Sequence, residues 1–583
     1  MLLLIALAFP GLAAAAAGTD DPTWRRDDVA AFAEAREGKR FVLLYLEAVW
    51  CHWCHVMDRD TYGDAKVRAL IDAHYVPLRI DQDLRPDLAN RYRDYGWPAT
   101  IVFAADGTEI VKRRGYVAPE RFARLLQAIV DDPSPERVAE ADVADAKPRT
   151  TLDPAVREAL LKRHRDTFDP TLGGFKTNQK FLDRDAVEYS LDLALAGDDT
   201  ERAMAKATLD GAMGLIDPAW GGVYQYSTHG DWNHLHFEKL GWLQGDYLRV
   251  YARAYAVFGD TRYLDAARAI RRYVDAFLAA PEGGWYTSQD ADLAAGEHAE
   301  GYFALDDAAR RKLGIPRVDR HRYAREAGTI AEALAVLHEV SGEAGALASA
   351  EAGARWALQE RVLPGGGFRH DEKDAAGPYL ADTLAMGRAF LQLYRASGRR
   401  EWLAHAANAA GFIEKNFRAT SGYASGARGA LPIAPLPFVD ENIQLARFAN
   451  LLARYTGDAA HTAIAKHAYA WLARPDVALE RLTETGVLLA DRELNRDPLH
   501  LTVIGAKADA TSAALYDACL RVAGAYKRLD WWDRDEGPLP NPDVAYPKLK
   551  RPAAFVCTEN TCSTPIFVPG QVATFLAEFG RVD

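Results

Sequence analysis

The feature that most constrains this chain of 583 residues is a pair of cysteines that directly follows an apolar run. The run covers 41–46, and the cysteines are Cys51 and Cys54. In the first turn of a helix, positions i and i+3 lie on one face, so the two sulfurs can reach disulfide distance. The helix N-terminus favours the thiolate of Cys51, the form that attacks a disulfide. A buried strand that runs into such a pair therefore predicts a redox centre.

The positions of the two cysteines and their neighbours suggest a role for each residue. Cys51 is expected to attack, and Cys54, one turn in and more buried, to resolve. His52 lies between them, where positive charge stabilises a thiolate and pushes the pair towards being an oxidant. The flanking Trp50 and Trp53 are expected to contact the substrate.

A proline further along the chain strengthens the redox interpretation. Pro98 stands just before a second apolar run, 101–103. Thioredoxin-like domains place a cis-proline there, against the disulfide. The bond before a proline is essentially the only peptide bond whose cis form costs little free energy. We expect Pro98 to position a substrate strand beside the sulfurs, with Trp97 next to it.

One position departs from the thioredoxin pattern. Thioredoxins usually carry a buried acid in the strand before the first cysteine, acting as a proton acceptor, and this chain has Tyr45 there. Glu47 lies on the same face of the strand, and whether it serves instead stays open.

Zinc is the main competing interpretation of the motif, because Cys51, Cys54, His52 and His55 are all metal-ligand types. A closed structural site usually needs a second ligand pair at a short, regular distance. The next cysteine is Cys519, so the redox interpretation is preferred and neither a metal nor a cofactor is predicted.

Charge and cysteine content narrow the class of protein. The net charge of −12, without a basic stretch interleaved with aromatics, argues against nucleic-acid binding. Residues 1–17 form an apolar run that ends in alanines, which predicts a signal peptide and export, in bacteria to the periplasm, although a basic segment is missing. No later apolar run is long enough to span a membrane, so no membrane association is expected after cleavage. Among the remaining cysteines, Cys557 and Cys562 suit a structural bridge; whether they instead exchange electrons with the first pair stays open.

Three regions follow from the residue pattern: a thioredoxin-like domain at 19–135, almost pure helix at 150–495, and a small α/β region at 498–583. In the first, the redox helix is expected to continue to His74. In the second, amphipathic helices alternate with a repeated Gly-Gly-aromatic loop, which favours six helical hairpins closed into an (α/α)6 toroid. A helical solenoid is the rival, but its repeats are shorter and more uniform.

The toroid loops contain a second set of candidates. Polar residues cluster at 231–239 and at 288–292. If the toroid binds or processes a sugar, its carboxylates act as acid and base and an aromatic side chain stacks on the ring. The residues in question are His234, His236, Glu238, Trp285, Asp290 and Asp292. The plainer alternative is that they satisfy backbone groups in long loops, and it is preferred; a metal on His234, His236 and Glu238 is less favoured still.

Taken together, these motifs resemble the spermatogenesis-associated, thioredoxin-like protein family. The matching stretches are 51–57, 173–175 with 180–181, 236–239, 284–286 with 290–292, and 556–565. The resemblance implies a thioredoxin-like domain ahead of a six-hairpin toroid similar to glycosidases and N-acylglucosamine 2-epimerase.

The sequence thus predicts a multidomain α/β and all-α protein that acts as a thiol–disulfide oxidoreductase on a protein partner. The alternative makes the toroid a carbohydrate-binding or carbohydrate-modifying module, with the thioredoxin-like domain as an accessory. A third hypothesis is a non-catalytic scaffold.

Overall fold

The computed structural model describes residues 22–136, 150–374, 376–427, 432–557 and 561–579. The predicted signal peptide at 1–17 lies outside the described residues. Within the described ranges, none of the helices combines the length and the apolar character needed to cross a lipid bilayer.

The first region has the expected thioredoxin-like fold. Its sheet has the order β2-β1-β3-β4, with β1 parallel to β2 and antiparallel to β3, and β4 antiparallel to β3. The elements are α1 (Asp28–Gly38), β1 (Phe41–Glu47), α2 (His52–Met57), α3 (Ala65–His74), β2 (Tyr75–Asp81), α4 (Pro86–Tyr92), β3 (Ala99–Phe103), β4 (Glu109–Arg114) and α5 (Pro119–Asp131).

The redox helix is shorter than predicted. It ends as α2 at Met57 and passes through a π-helical turn, Asp58–Tyr62, before α3 begins. Asp64 explains the new start, because its carboxylate caps α3 by accepting from the backbone N–H groups of Lys66 and Val67.

The second region is helical and carries short strands in its loops. Its helices are α6 (Pro154–Asp166), α7 (Arg184–Leu195), α8 (Asp199–Ala212), α9 (Gly241–Phe258), α10 (Thr261–Tyr273), α11 (Glu300–Phe303), α12 (Asp307–Leu313), α13 (Ala324–Ser341), α14 (Ala344–Glu360), α15 (Leu380–Ser397), α16 (Arg400–Phe417), α17 (Val439–Thr456), α18 (Ala459–Leu472), α19 (Pro475–Ala478) and α20 (Thr485–Leu494). The strands are β5 (Tyr226–Thr228), β6 (His234–His236), β7 (Lys239–Leu240), β8 (Ser288–Gln289) and β9 (Val318–Asp319). β5 pairs with β6, and β8 lies between β7 and β9.

The long helices close into a ring. The inner helices contact each other in the order α7, α9, α13, α15, α17 and α20, and α20 returns to α7. Each inner helix packs against an outer one: α8, α10, α14, α16, α18 and, for α20, the first helix α6. Because a solenoid leaves its ends apart, this closure confirms the toroid.

The third region is a small α/β unit. Its elements are β10 (Leu499–Ile504), α21 (Ala510–Leu520), β11 (Lys527–Trp532), β12 (Ala553–Cys557) and α22 (Val572–Phe579). The sheet order is β11-β10-β12, with β11 parallel and β12 antiparallel to the central strand. A disulfide joins Cys557, at the end of β12, to Cys562.

Candidate functional site

The redox motif occupies the start of α2, with its two sulfurs bonded to each other. The Cα atoms of Cys51 and Cys54 are 5.2 Å apart. Cys51 is the N-cap of the helix, and its sulfur accepts a hydrogen bond from the backbone N–H of Cys54 at 3.2 Å. The same contact stabilises negative charge on that sulfur once the disulfide is reduced.

Neither residue in the proton-acceptor region of β1 is available as a base. The Tyr45 hydroxyl donates to the carbonyl oxygen of Cys54 at 3.1 Å, and burial holds the tyrosine pKa well above its ordinary value. The Glu47 carboxylate accepts from Nε of Arg79 at 2.5 Å. Tyr45 therefore positions the redox helix, while Glu47 is committed to an ion pair.

Both histidines of the motif bind a single carboxylate from the toroid. Nδ1 of His52 lies 2.8 Å from Oδ1 of Asp292, and Nδ1 of His55 lies 2.9 Å from Oδ2 of the same residue. Although burial opposes ionisation, the hydrogen bonds from the two imidazoles hold the pKa of Asp292 well below its usual range. An ionised carboxylate only accepts hydrogen bonds, so both Nδ1 atoms carry protons.

His55 has a second acceptor, which fixes its charge. Its Nε2 lies 3.0 Å from the carbonyl oxygen of Val49, so both ring nitrogens donate and the ring is an imidazolium. Burial opposes this charge, but the hydrogen bond to Asp292 and the nearby Asp290 outweigh it and raise the histidine pKa. The redox helix therefore carries a positive charge on His55, a residue for which the sequence did not predict this role.

The loop after β8 presents Asp292 to the motif. Oδ2 of Asp292 accepts from the backbone N–H of Gly296 at 2.7 Å, and the Asp292 N–H donates to Oδ1 of Asp290 at 3.0 Å. Burial raises the pKa of Asp290 to about 6. Asp290 thus orders the loop, and Asp292 makes the contact between the two domains.

A cleft of about 220 Å³ lies beside this contact and is lined by both domains. We call it the interdomain cleft; its main lining residues are His52, Trp53, His236, Glu238, Asp292 and His298. Trp53 is 41 % exposed and His298 is exposed, so the cleft opens to solvent. The structure thus brings predicted residues of the redox motif and of the toroid loops into one place.

Glu238 is the most unusual group of the cleft. It is only 4 % exposed, and its Oε2 has no hydrogen-bond partner among the described residues. Burial raises its pKa to about 8, and the charges of Asp290 and Asp292 add to the effect. Nδ1 of His236 lies 3.9 Å from that oxygen, and burial lowers the His236 pKa to about 4. His234, in contrast, is exposed and pairs with Asp231.

The remaining candidates lie outside the cleft. Trp50 is buried and donates from Nε1 to Asp83 at 2.6 Å. The Trp97–Pro98 bond is cis, and Trp97 lines a different cavity of about 330 Å³ between α4 and the inner helices. Trp285 is 4 % exposed and packs on Gly353 of α14, where an added Cβ would lie 2.1 Å from its ring.

Sequence reasoning did not select His298. Its ring lies 4.2 Å from that of His52, with 30° between the ring planes. A single histidine in a polar loop carries no spacing signal, so only the fold reveals its position.

Among the described residues, one group has the composition and spacing of a metal site: His55, Asp290 and Asp292, with ligand atoms within 4.8 Å of one another. Both nitrogens of His55 already donate hydrogen bonds, to Asp292 and Val49. A cation would have to displace these bonds, so the arrangement as it stands fits an ion pair better than a metal centre.

Parts of this chain are similar to known proteins. Residues 16–132 match the sequence profile of Thioredox_DsbH, a family described as "Protein of unknown function, DUF255". Spermatogenesis-associated protein 20 of Mus musculus is 26 % identical over 298 residues, which cover 45 % of this chain and 38 % of the mouse protein. The aligned part is well under half of the length of the mouse protein. These matches confirm the resemblance to the spermatogenesis-associated family that the motifs indicated.

Two further likenesses each concern one region. Thiol:disulfide interchange protein DsbD 1 of Pseudomonas aeruginosa is 38 % identical over 84 residues, covering 14 % of each chain. The structure of cellobiose 2-epimerase from Bacillus thermoamylovorans superposes with a TM-score of 0.44 at 10 % identity, covering 54 % of this chain and 85 % of that one. The second likeness concerns the fold alone.

Proposed function

We propose that this protein is a thiol–disulfide oxidoreductase that uses Cys51 and Cys54. The observation that carries the proposal is the position of the pair, bonded across the first turn of α2 with Cys51 as the N-cap. A helix N-terminus and an adjacent cation both lower the pKa of a thiol, and the His55 imidazolium lies in the same turn. The similarity of a short segment to DsbD 1 supports the same chemistry.

The reaction follows from the order of the two sulfurs. In the reduced protein, the Cys51 thiolate attacks a partner disulfide, which forms a mixed disulfide and releases one partner thiolate. Cys54 then attacks Cys51, which restores the internal bond and releases the second thiolate. The partner gains two electrons in this direction, and the reverse sequence oxidises a dithiol.

The proposal includes export. Disulfides form and persist in oxidising compartments, and the apolar run at 1–17 favours a signal peptide. The carbohydrate alternative is weaker, because Trp285, its expected stacking platform, is buried against α14.

The test compares Cys51→Ser with Cys54→Ser, both measured by exchange with 2-hydroxyethyl disulfide. We expect Cys51→Ser to lose at least 100-fold in rate, since the attacking sulfur is gone. We expect Cys54→Ser to accumulate a mixed disulfide with one 2-mercaptoethanol unit on Cys51, visible by mass spectrometry.

Cys519→Ser is the matched control, because burial raises the pKa of that thiol to about 12 and leaves it unreactive. Full exchange activity in Cys51→Ser contradicts the proposed function.

A further inference from the structure

The cysteine pair faces the toroid instead of open solvent. Cys51 is 4 % exposed and Cys54 is 0 % exposed. With Ala48 and Trp50, they belong to the apolar cluster that forms the core of the toroid, whereas the rest of the thioredoxin-like domain packs into two clusters of its own. The redox motif is therefore enclosed by a neighbouring domain.

Enclosure limits what can react. Exchange requires a thiolate to approach a sulfur closely enough to form a mixed disulfide, and its rate depends on access. A disulfide on the surface of a folded protein is surrounded by the rest of that protein. The toroid leaves no room for such a protein next to Cys51. A small molecule or a narrow chain meets no such obstacle.

The interdomain cleft lies next to the motif, since its wall includes His52, the residue that follows Cys51. Its volume of about 220 Å³ is below the ~300–1,000 Å³ of pockets that hold drug-sized ligands. The cleft therefore suits a molecule of a few heavy atoms on each side of a disulfide.

The side chains in the wall of the cleft indicate which polar groups such a molecule has. Glu238 is more than nine-tenths buried and has an oxygen without a hydrogen-bond partner among the described residues, so it lacks a donor. The Asp292 carboxylate adds negative charge, and Glu300 is an exposed acid at the opening. Above about pH 8, where Glu238 is ionised, these groups favour ammonium or hydroxyl groups and disfavour carboxylates.

We infer that the enclosed pair exchanges with a low-molecular-weight disulfide or thiol that bears ammonium or hydroxyl groups and enters through the interdomain cleft. This inference rests on the proposed function. In the reducing direction, Cys51 attacks one sulfur of the small disulfide and releases a thiolate, which takes up a proton from water. Cys54 then displaces the second thiolate, so two electrons pass from the protein dithiol to the small disulfide.

The test uses the full chain, reduced and freed of reductant, with four probes: cystamine, 2-hydroxyethyl disulfide, dithiodiglycolate and insulin. Each rate is divided by the rate of the same probe with dithiothreitol, which removes intrinsic reactivity. We expect normalised rates in the order cystamine, 2-hydroxyethyl disulfide, dithiodiglycolate, with at least tenfold between the first and last. Insulin is expected to react at least 100-fold more slowly than cystamine.

A substitution locates the discrimination. At pH 8.5, above the Glu238 pKa of about 8, Glu238→Gln keeps the shape of the side chain and removes its charge, so the preference for cystamine over dithiodiglycolate should fall at least threefold. Glu282→Gln, at an exposed carboxylate outside the cleft, should leave the preference unchanged.

The outcomes separate the two proposals. Insulin reduction as fast as cystamine reduction, with a working redox couple, overturns this inference and leaves the proposed function standing. Equal normalised rates for cystamine and dithiodiglycolate also overturn it. Absence of exchange with every probe overturns the proposed function itself.

Discussion

The protein contains two disulfides among its described residues, and their surroundings differ at every level. Cys51 and Cys54 span the first turn of a helix, next to an imidazolium and enclosed by a second domain. Cys557 and Cys562 connect the end of a strand to the segment that follows, with Cα atoms 4.0 Å apart and Cys562 exposed. The same covalent bond therefore lies once at a helix N-terminus, which stabilises a thiolate, and once at the end of a strand.

The difference shows that the environment of a disulfide distinguishes a reactive pair from a brace. A helix N-terminus and a cation lower the free energy of the thiolate, which makes the bond easier to reduce. A strand-end bridge is not at a helix N-terminus and mainly restricts the unfolded chain. Three substitutions sharpen this contrast.

The largest effect is expected for Asp292→Asn, which removes the carboxylate shared by His52 and His55. Hydrogen bonds to charged groups contribute about 1.5–3 kcal/mol each, so we expect the free energy of unfolding to fall by about 3 kcal/mol. Without the carboxylate, burial dominates and the His55 pKa should fall. A pH titration followed by NMR of the imidazole protons measures it.

Asp290→Asn is the comparison variant for this prediction, and it should lower the His55 pKa by less than Asp292→Asn, because Asp290 acts on His55 through its charge and not through a hydrogen bond. It makes the same change two residues earlier, and its amide oxygen can still accept from the Asp292 N–H. An unaltered His55 pKa in Asp292→Asn contradicts the proposed contact between the domains.

An intermediate effect is expected when the second disulfide is removed by Cys557→Ala/Cys562→Ala. Loop-closure entropy for so short a loop predicts a loss of about 2 kcal/mol in unfolding free energy, measured in urea. The exchange rate at Cys51 should stay within about twofold, because the two pairs belong to different units. A tenfold drop in that rate means that electrons pass between the pairs.

A third effect, which depends on pH, is expected for Glu238→Gln. From pH 4.5 to about 8 the folded protein keeps a proton on Glu238 that the unfolded chain has released. Stability of the parent protein therefore falls as pH rises through this window, while glutamine contributes no such slope. Relative to the parent, the variant should gain several kcal/mol between pH 5 and pH 8.5, since each unit of pKa shift corresponds to ~1.4 kcal/mol.

Urea midpoints at the two pH values measure this difference. His236, His55, Asp290 and Asp292 also face the site, but the substitution leaves all four in place. If the difference in stability between variant and parent is the same at both pH values, the carboxyl of Glu238 is not protonated in the folded protein and this prediction is wrong.

Local patterns predicted much of this structure. The Cys51/Cys54 spacing and Pro98 indicated the redox domain, and helical periodicity gave nearly all the ring helices, because both signals lie within a few residues. Helix α20, which closes the ring, has ten residues, which are too few for a clear helical period.

Contacts between distant segments escaped prediction. His52 and Asp292 are 240 residues apart, and no spacing rule relates them. Asp292 and Glu238 were selected as sugar acids, whereas Asp292 binds the redox motif. Trp285 illustrates the opposite limit, because an aromatic residue after Gly-Gly has the same sequence whether it stacks on a ligand or packs on a helix.

The measurement that tests the central claim most directly is the reduction potential of both disulfides in one sample. The protein is equilibrated in dithiothreitol and glutathione buffers, and each pair is quantified by alkylation and peptide mass spectrometry. We expect Cys51/Cys54 to be a reversible couple between about −120 and −270 mV, and Cys557/Cys562 to lie below about −300 mV. If Cys51/Cys54 does not titrate, or also lies below about −300 mV, the pair is a brace and the redox account is wrong.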